Sequence, residues 1–239
     1  ELSDNHEAYE GKIIALQGAA DLCFKTGTHE KALDFFDQIL AMDKKNPNGI
    51  QGKIKTLLFI GNKNLNLQNY QDAKNNFKEV LKLEDNNIDG LLGCLNTLNH
   101  LNLYNQLLKT SRKVLKIDPD NSEAQKQENK AHLNIAQEFL SKKEYQKSLE
   151  HYNHVLERDS KNIEALNGKA FSLKNLNDFQ KAIEVFDICL KQDKNNSQAF
   201  QGKLDSYISW GNQFLDTLNF QESLSKFKIA LKLDSSNTD

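Results

Sequence analysis

Residues Glu144 to Asn162 read EYQKSLEHYNHVLERDSKN. Tyr145, Ser148, Tyr152, Val155 and Leu156 recur at steps of three and four, with charged and amide side chains between them. That period is the 3.6-residue turn of a helix that buries one stripe. Ser148 is the one small side chain on the stripe, and an aromatic follows it a turn later. A small residue lets a second helix approach closely, and the aromatic fills the space beside it. Asp159 and Asn162 close the stretch, with the asparagine placed where the N-cap of a following helix would stand.

The same phrase returns along the whole chain. It reads Tyr70, Ala73, Phe77, Val80-Leu81 and again Phe179, Ala182, Phe186, Cys189-Leu190. Further copies are His29, Ala32, Phe36, Ile39-Leu40 and Phe220, Ser223, Phe227, Ala230-Leu231. A deviant copy, Tyr104, Leu107, Ser111, Val114-Leu115, swaps large and small, an exchange that keeps volume roughly constant. Each copy ends in an acid and an asparagine: Asp43/Asn46, Glu84/Asn87, Asp118/Asn121, Asp159/Asn162, Asp193/Asn196 and Asp234/Asn237. Pro119 stops the helix before it in one of these turns.

These segments resemble the second helix and turn of the tetratricopeptide repeat, and Ile88 to Asn121 matches that family's 34-residue length and its closing Asp-Pro-x-Asn. The resemblance extends over almost the whole chain in six copies. The first-helix Trp and Tyr of the family are mostly replaced by Leu, Ile and Phe. The resemblance implies an all-α, right-handed superhelical solenoid of antiparallel helix pairs. A single array is expected over 1–239, with repeats at approximately 7–46, 47–87, 88–121, 122–162, 163–196 and 197–237.

The small positions 32, 73, 107, 148, 182 and 223 are separated alternately by 41 and 34 residues. The unit is therefore a pair of repeats, in which the extra seven residues lengthen the first helix of the second, fourth and sixth copies. Seven residues fall about 20° short of two full turns, so the buried stripe stays on one face while the helix gains about 10 Å. The period predicts twelve helices, roughly 7–26, 29–43, 47–67, 70–84, 88–101, 104–118, 122–142, 145–158, 162–176, 179–193, 197–217 and 220–234.

Composition narrows the functional classes. The chain has 31 basic and 33 acidic side chains and a net charge of −2, which offers no general attraction for nucleic acid or a membrane surface. No apolar run approaches the roughly 20 residues needed to span a bilayer. Glu1 to Glu10 is acidic and polar where a secretory leader would be basic and then apolar. Cys23, Cys94 and Cys189 form no CxxC pair and fall at apolar helix positions, as reduced, buried thiols of a cytoplasmic protein do, with the nucleus as the alternative.

No phosphate loop, GxSxG or HExxH occurs, and neither catalysis nor a cofactor is expected. His151, His154 and Glu157 form a stripe that could offer ligands to zinc, but nothing near in sequence completes the site. The stripe reads as an exposed polar face, and no metal is expected. His132 and Trp210 lie on apolar stripes and read as core.

The resemblance implies that the first helix of each repeat lines a concave groove. Counting back from each small residue places Leu58, Asn62 and Leu65 there, with Leu92 and Asn96, then Leu133, Gln137 and Leu140, then Ile208, Asn212 and Leu215. Lys55, Asp89, Asn99, Lys130, Glu164, Asn167, Phe171, Lys174 and Asp205 share that face. Asn62, Asn96, Gln137 and Asn212 form an amide row, interrupted by Phe171. Carboxamides both donate and accept, so such a row can hold an extended peptide backbone without reading its side chains.

The partner expected is therefore a protein or peptide. The alternative is a structural subunit of a larger assembly, or a fragment of a longer chain, that contacts neighbours through its convex face and uncapped ends. A third reading, a co-chaperone gripping the carboxylate of Hsp70 or Hsp90, is disfavoured. Leu58, Gly93 and Asn134 stand where that clamp needs lysine, asparagine and a base, and without cations a carboxylate has no charge-assisted grip. RNA is disfavoured by Asp89, Glu164 and Asp205 along the groove. Ala182→Phe is expected to overpack its helix pair and lower stability by about 1–3 kcal/mol in a denaturant melt. A neutral result would mean the repeat register is misassigned.

Overall fold

The computed structural model describes residues 2–235, with side chains over 6–234. The chain divides into two compact units, Glu1–Glu128 and Asn129–Asp239. The first holds α1 (Leu2–Lys25), α2 (His29–Met42), α3 (Pro47–Asn66), α4 (Tyr70–Leu83), α5 (Ile88–His100) and α6 (Tyr104–Ile117). The division falls within α7 (Ser122–Ser141). The second unit continues with α8 (Tyr145–Arg158), α9 (Ile163–Asn175), α10 (Phe179–Gln192), α11 (Ser197–Asp216) and α12 (Phe220–Ser235). The described residues contain twelve helices and no strand. The boundaries match those read from the period, except that α1 begins at Leu2.

The alternating rhythm appears directly as helix length. α3, α7 and α11 have 20 residues each, whereas α5 and α9 have 13. The small positions are the contact points of the helix pairs. Ala32, Ala73, Leu107, Ser148 and Ala182 are fully buried, and Ser223 is nearly so. Ser148 shows how close the approach is, because its hydroxyl donates to the Ala136 carbonyl of α7 at 2.8 Å.

Two kinds of turn join the helices. Within each repeat the first helix ends on a left-handed residue: Gly27, Gln68, Asn102, Lys143, Asn177 or Leu218. The amide after it returns to a carbonyl five residues back, for example Asn69 to Asn64 at 2.8 Å and Asn219 to Phe214 at 2.8 Å. This satisfies orphan carbonyls at the helix end. Between repeats the asparagine caps the next helix. Asn46, Asn87, Asn121, Asn162 and Asn196 accept from the amide three residues on, at 2.9–3.0 Å. Asn87, Asn121 and Asn162 also donate back to the preceding acid, Glu84, Asp118 and Asp159. The acid–asparagine signature is thus one hydrogen-bonded turn. Asn237, the sixth expected cap, lies outside the described residues.

One packing rule was not read from the sequence. Sixteen residues after four of the second-helix aromatics, Phe36, Phe77, Tyr152 and Phe186, stands a glycine on the next first helix. A Cβ on Gly52 would lie 2.1 Å from Phe36, and one on Gly93 would lie 2.4 Å from Phe77. The corresponding distances are 2.0 Å for Gly168 against Tyr152 and 2.3 Å for Gly202 against Phe186. Sixteen residues before the aromatic lies another small residue: Ala20, Gly61, Ala136, Ala170 or Gly211. The rings of Phe36, Tyr152 and Phe186 share core clusters with Ala20, Ala136 and Ala170. The deviant copy inverts the pattern, with small Ser111 between buried Leu95 and Gln127. Charge follows the same offset. Asp37 pairs with Lys53 and Asp187 with Lys203, and the deviant copy reverses the signs in Arg112–Glu128 at 3.1 Å.

Two side chains depart from the core reading. Trp210 is only half-buried, because Phe214 stacks on it at 6.0 Å and Lys226 covers its face at 4.2 Å, while the interior position is taken by Gly211. Cys23 is half-buried, whereas burial pushes the Cys94 and Cys189 thiols up to about 11. All three cysteines are free. His132 is buried as expected.

The glycine rule yields a paired test. Gly168→Ala should cost about 2 kcal/mol, because its methyl meets the Tyr152 ring. Gly18→Ala in exposed α1 meets nothing within 4 Å and should raise stability by about 1 kcal/mol. Equal effects in urea melts would remove the rule.

Candidate functional site

The residues expected in the groove keep some exposure, Asn167 excepted, and they fall into two sets, one in each unit. In the first unit Asn62 is exposed on α3, and Leu58 and Leu65 are half-buried beside it. Leu58 packs against Ile54, Leu57 and Val80, so part of its surface belongs to the core. On α5, Leu92 and Asn96 are half-buried. Gly90 and Gly93 lie on α5's packed face, with the Val80 and Phe77 side chains where their Cβ atoms would stand. Packing therefore explains the glycine at 93, which leaves no room for the asparagine of a carboxylate clamp.

Aromatics gather at the start of this unit. His29 stacks on Phe59 at 4.1 Å, Phe24 meets both edge-on, and Lys55 Nζ lies 4.7 Å from the centre of the Phe24 ring. These residues, with Asp21, line a concavity of about 430 Å³. Lys55 was expected on the groove face, but its aromatic neighbours were not foreseen.

In the second unit the structure brings Gln137 and Leu140 of α7 together with Glu164 and Phe171 of α9 and Gln198 of α11, around a concavity of about 470 Å³. Tyr152 forms its inner wall. Its hydroxyl donates to Gln137 Oε1 at 3.1 Å, and burial, then the Glu164 carboxylate, pushes its phenol up to about 12. The phenol therefore stays a neutral donor across the physiological range. It fixes the Gln137 oxygen and leaves the amide nitrogen of Gln137 to face a ligand. Tyr152 was read only as a packing aromatic. It is the one tyrosine where the other copies have Phe or Ser, a difference that already marked it.

Phe171 leans edge-on against Phe186 at 5.4 Å and carries Lys174 Nζ over its ring at 5.2 Å. Lys174 also pairs with Asp205 at 3.5 Å. Leu133 packs against Ala136, Tyr152 and Val155. Asn167, expected on the open face, is buried. Its nitrogen reaches Asn196 Oδ1 at 3.5 Å, and its oxygen has no hydrogen-bond partner. Further along α11, Ile208, Asn212 and Leu215 are exposed.

Of the His151–His154–Glu157 stripe, His154 and Glu157 are exposed as expected, and only His151 is half-buried, against buried His132. His132 Nδ1 and His151 Nδ1 are 2.8 Å apart, and the His132 and His154 rings are 4.8 Å apart. A hydrogen bond between two such nitrogens requires that one ring donate and the other, neutral, accept. Glu157 instead lies 3.4 Å from His154 Nδ1. Among the described residues no group of three or more His, Cys, Asp or Glu side chains has the arrangement of a metal site, and no helix is long and apolar enough to cross a membrane.

Against this geometry, the model of the tetratricopeptide repeat matches residues 130–162 and 163–196. Those spans contain the part of α7 from residue 130 on, with α8, α9 and α10, which frame the concavity of the second unit. No curated protein is matched. Similar solved structures include MamA 41-end from Desulfovibrio magneticus RS-1, at 18% identity over 78% of this chain and 98% of that one, with a TM-score of 0.42. YrrB, described as a TPR protein with an unusual peptide-binding site, is 19% identical over 84% of this chain and 96% of its own, at 0.42. A tetratricopeptide repeat protein from Parabacteroides merdae ATCC 43184 is 14% identical over 93% of each chain, at 0.41. Residues 130–196 are thus matched as two tetratricopeptide repeats, within a run of twelve described helices whose neighbours pack on one another.

Proposed function

We propose that the chain is a non-catalytic protein-interaction scaffold whose first helices receive an extended or helical segment of a partner protein. The observation that carries this reading is the concavity of the second unit. Gln137, held by Tyr152, stands beside the apolar surfaces of Leu140 and Phe171 and the carboxylate of Glu164. Fixed amides with apolar neighbours suit a peptide backbone and its side chains. Leu133, Ile208, Asn212 and Leu215 extend the contact in that unit. Leu58, Asn62, Leu65, Leu92 and Asn96 are the corresponding surface of the first. No cofactor or nucleic acid enters this reading, and the compartment that suits it is the cytoplasm or nucleus.

A second reading, a structural subunit that meets its neighbours through other faces, has its own support. On α12 and the turn before it, Leu218, Phe220, Leu224 and Leu231 are each more than half exposed, a density of apolar surface that marks contact sites. The co-chaperone reading has no such support.

Selection of displayed peptides on the protein tests the first reading. The double variant Asn62→Ala with Asn96→Ala should bind the selected peptides about tenfold more weakly, with helicity and melting nearly unchanged, since each lost amide removes about 1 kcal/mol of hydrogen bonding. Affinity unchanged both in that variant and in Gln137→Ala with Asn212→Ala would dispose of the amide row.

A further inference from the structure

The most charge-segregated surface of the molecule lies on the opposite helix of a repeat from the groove. α6 reads YNQLLKTSRKVLKI and carries Lys109, Arg112, Lys113 and Lys116 with no acidic residue, in a chain whose net charge is −2. Its inner stripe is Leu107, Ser111 and Val114. The outer side, with Asn86 from the α4–α5 turn, bounds a concavity of about 700 Å³. Leu108 and Ile117 are its apolar members, nine residues apart and so on opposite margins of the cationic side, Ile117 being 43% exposed.

The cations fall into two kinds. Lys113 is tied to Asp85, through both its carboxylate and its carbonyl oxygen at 2.6 Å, and Arg112 Nε is held by Glu128 at 3.1 Å. These two are fixed in position and partly neutralised. Lys109 and Lys116 make no ion pair among the described residues. They sit seven residues apart, two turns of α6, with the fixed pair one turn from each. Positive charge therefore recurs at about 5.4 Å along α6, between the two apolar margins.

We propose that this outer face of α6 in the first unit is a docking site for an acidic amphipathic helix of a partner protein, one that presents a carboxylate each turn beside an apolar stripe. Charge complementarity and matching pitch argue for that occupant, because a helix repeats at about 5.4 Å, whereas same-side residues of an extended strand recur at about 6.6 Å. The apolar margins favour it over nucleic acid, since a phosphodiester backbone has nothing to place on Leu108 and Ile117. The site is independent of the groove formed by the first helices. Its contribution is to orient and select a partner by charge, so the affinity falls as salt rises.

The test uses a fluorescent helical peptide built from Glu, Asp, Leu and Ala with one carboxylate per turn. Poly-glutamate, a single-stranded RNA and phosphatidylserine vesicles are run beside it. Fluorescence anisotropy should show binding of the helical peptide, and binding about tenfold weaker in Lys109→Gln with Lys116→Gln. Those side chains are unpaired in the fold, so circular dichroism of the variant should match the parent. Ile117→Ser should weaken the amphipathic peptide but not poly-glutamate, which reads the apolar margin separately from charge. The groove variant Asn62→Ala with Asn96→Ala should bind the helical peptide as the parent does. No binding, binding unaffected by the lysine substitutions, or RNA or vesicles bound more tightly than the peptide would each overturn the proposal.

Discussion

The structure depends on one contact: an aromatic ring from every second helix but α6 lying against backbone that carries almost no side chain. Phe77 shows it on both sides, with Cβ atoms on Gly61 and Gly93 falling 2.8 and 2.4 Å from its ring. A fully buried ring contributes about 2–3 kcal/mol by leaving water, and it can do so here only because neighbouring helices yield their side chains at those points. The constraint couples each helix pair to the next. It also fixes their register, since a one-residue slip would drive a Cβ into the ring. The small residue of the original phrase secures the pair itself, and the glycine sixteen residues beyond the ring secures the step to the next pair.

The copy that breaks the pattern gives the strongest support for this account. Where Ser111 replaces the ring, the flanking positions become Leu95 and Gln127, so the volume lost on one helix returns on its neighbours. The ion pair one residue further along is reversed as well, with Arg112 on the second helix and Glu128 on the following one, where other copies have Asp37–Lys53 and Asp187–Lys203. Size and sign are exchanged together. Such an exchange makes sense only if the offset of sixteen is a contact in space.

Most of the fold was legible because its signals are local. The asparagine caps, the small positions and the seven-residue lengthening of alternate first helices all lie within a turn or two of the residues they act on. Gly52, Gly93, Gly168 and Gly202 were missed because a lone glycine in a helix reads as a weakness until its distance from an aromatic is measured. The candidate site was only partly legible. Gln137 and Leu140 were placed on an open face and stand there, but burial of Asn167 and the hold of Tyr152 on Gln137 depend on how two pairs meet. Trp210 was misread because its stripe is apolar in sequence, although Gly211 takes the interior position and leaves the indole to Phe214 and Lys226.

The packing rule also limits what the groove can recognise. Four first helices, α3, α5, α9 and α11, commit a position to glycine against the preceding ring, and at residue 93 that position coincides with one where a carboxylate clamp would need an asparagine. A chain that seats its rings on glycine therefore cannot also carry that polar group, whatever its partner. The side chains one turn to either side of the glycine keep some exposure, and in the second unit these are Glu164 and Phe171, a carboxylate and an apolar ring. The copy without a ring has no need of glycine at that offset: Ser111 is matched by Gln127, and its helix, α6, is the one described helix that carries four cations and no acid.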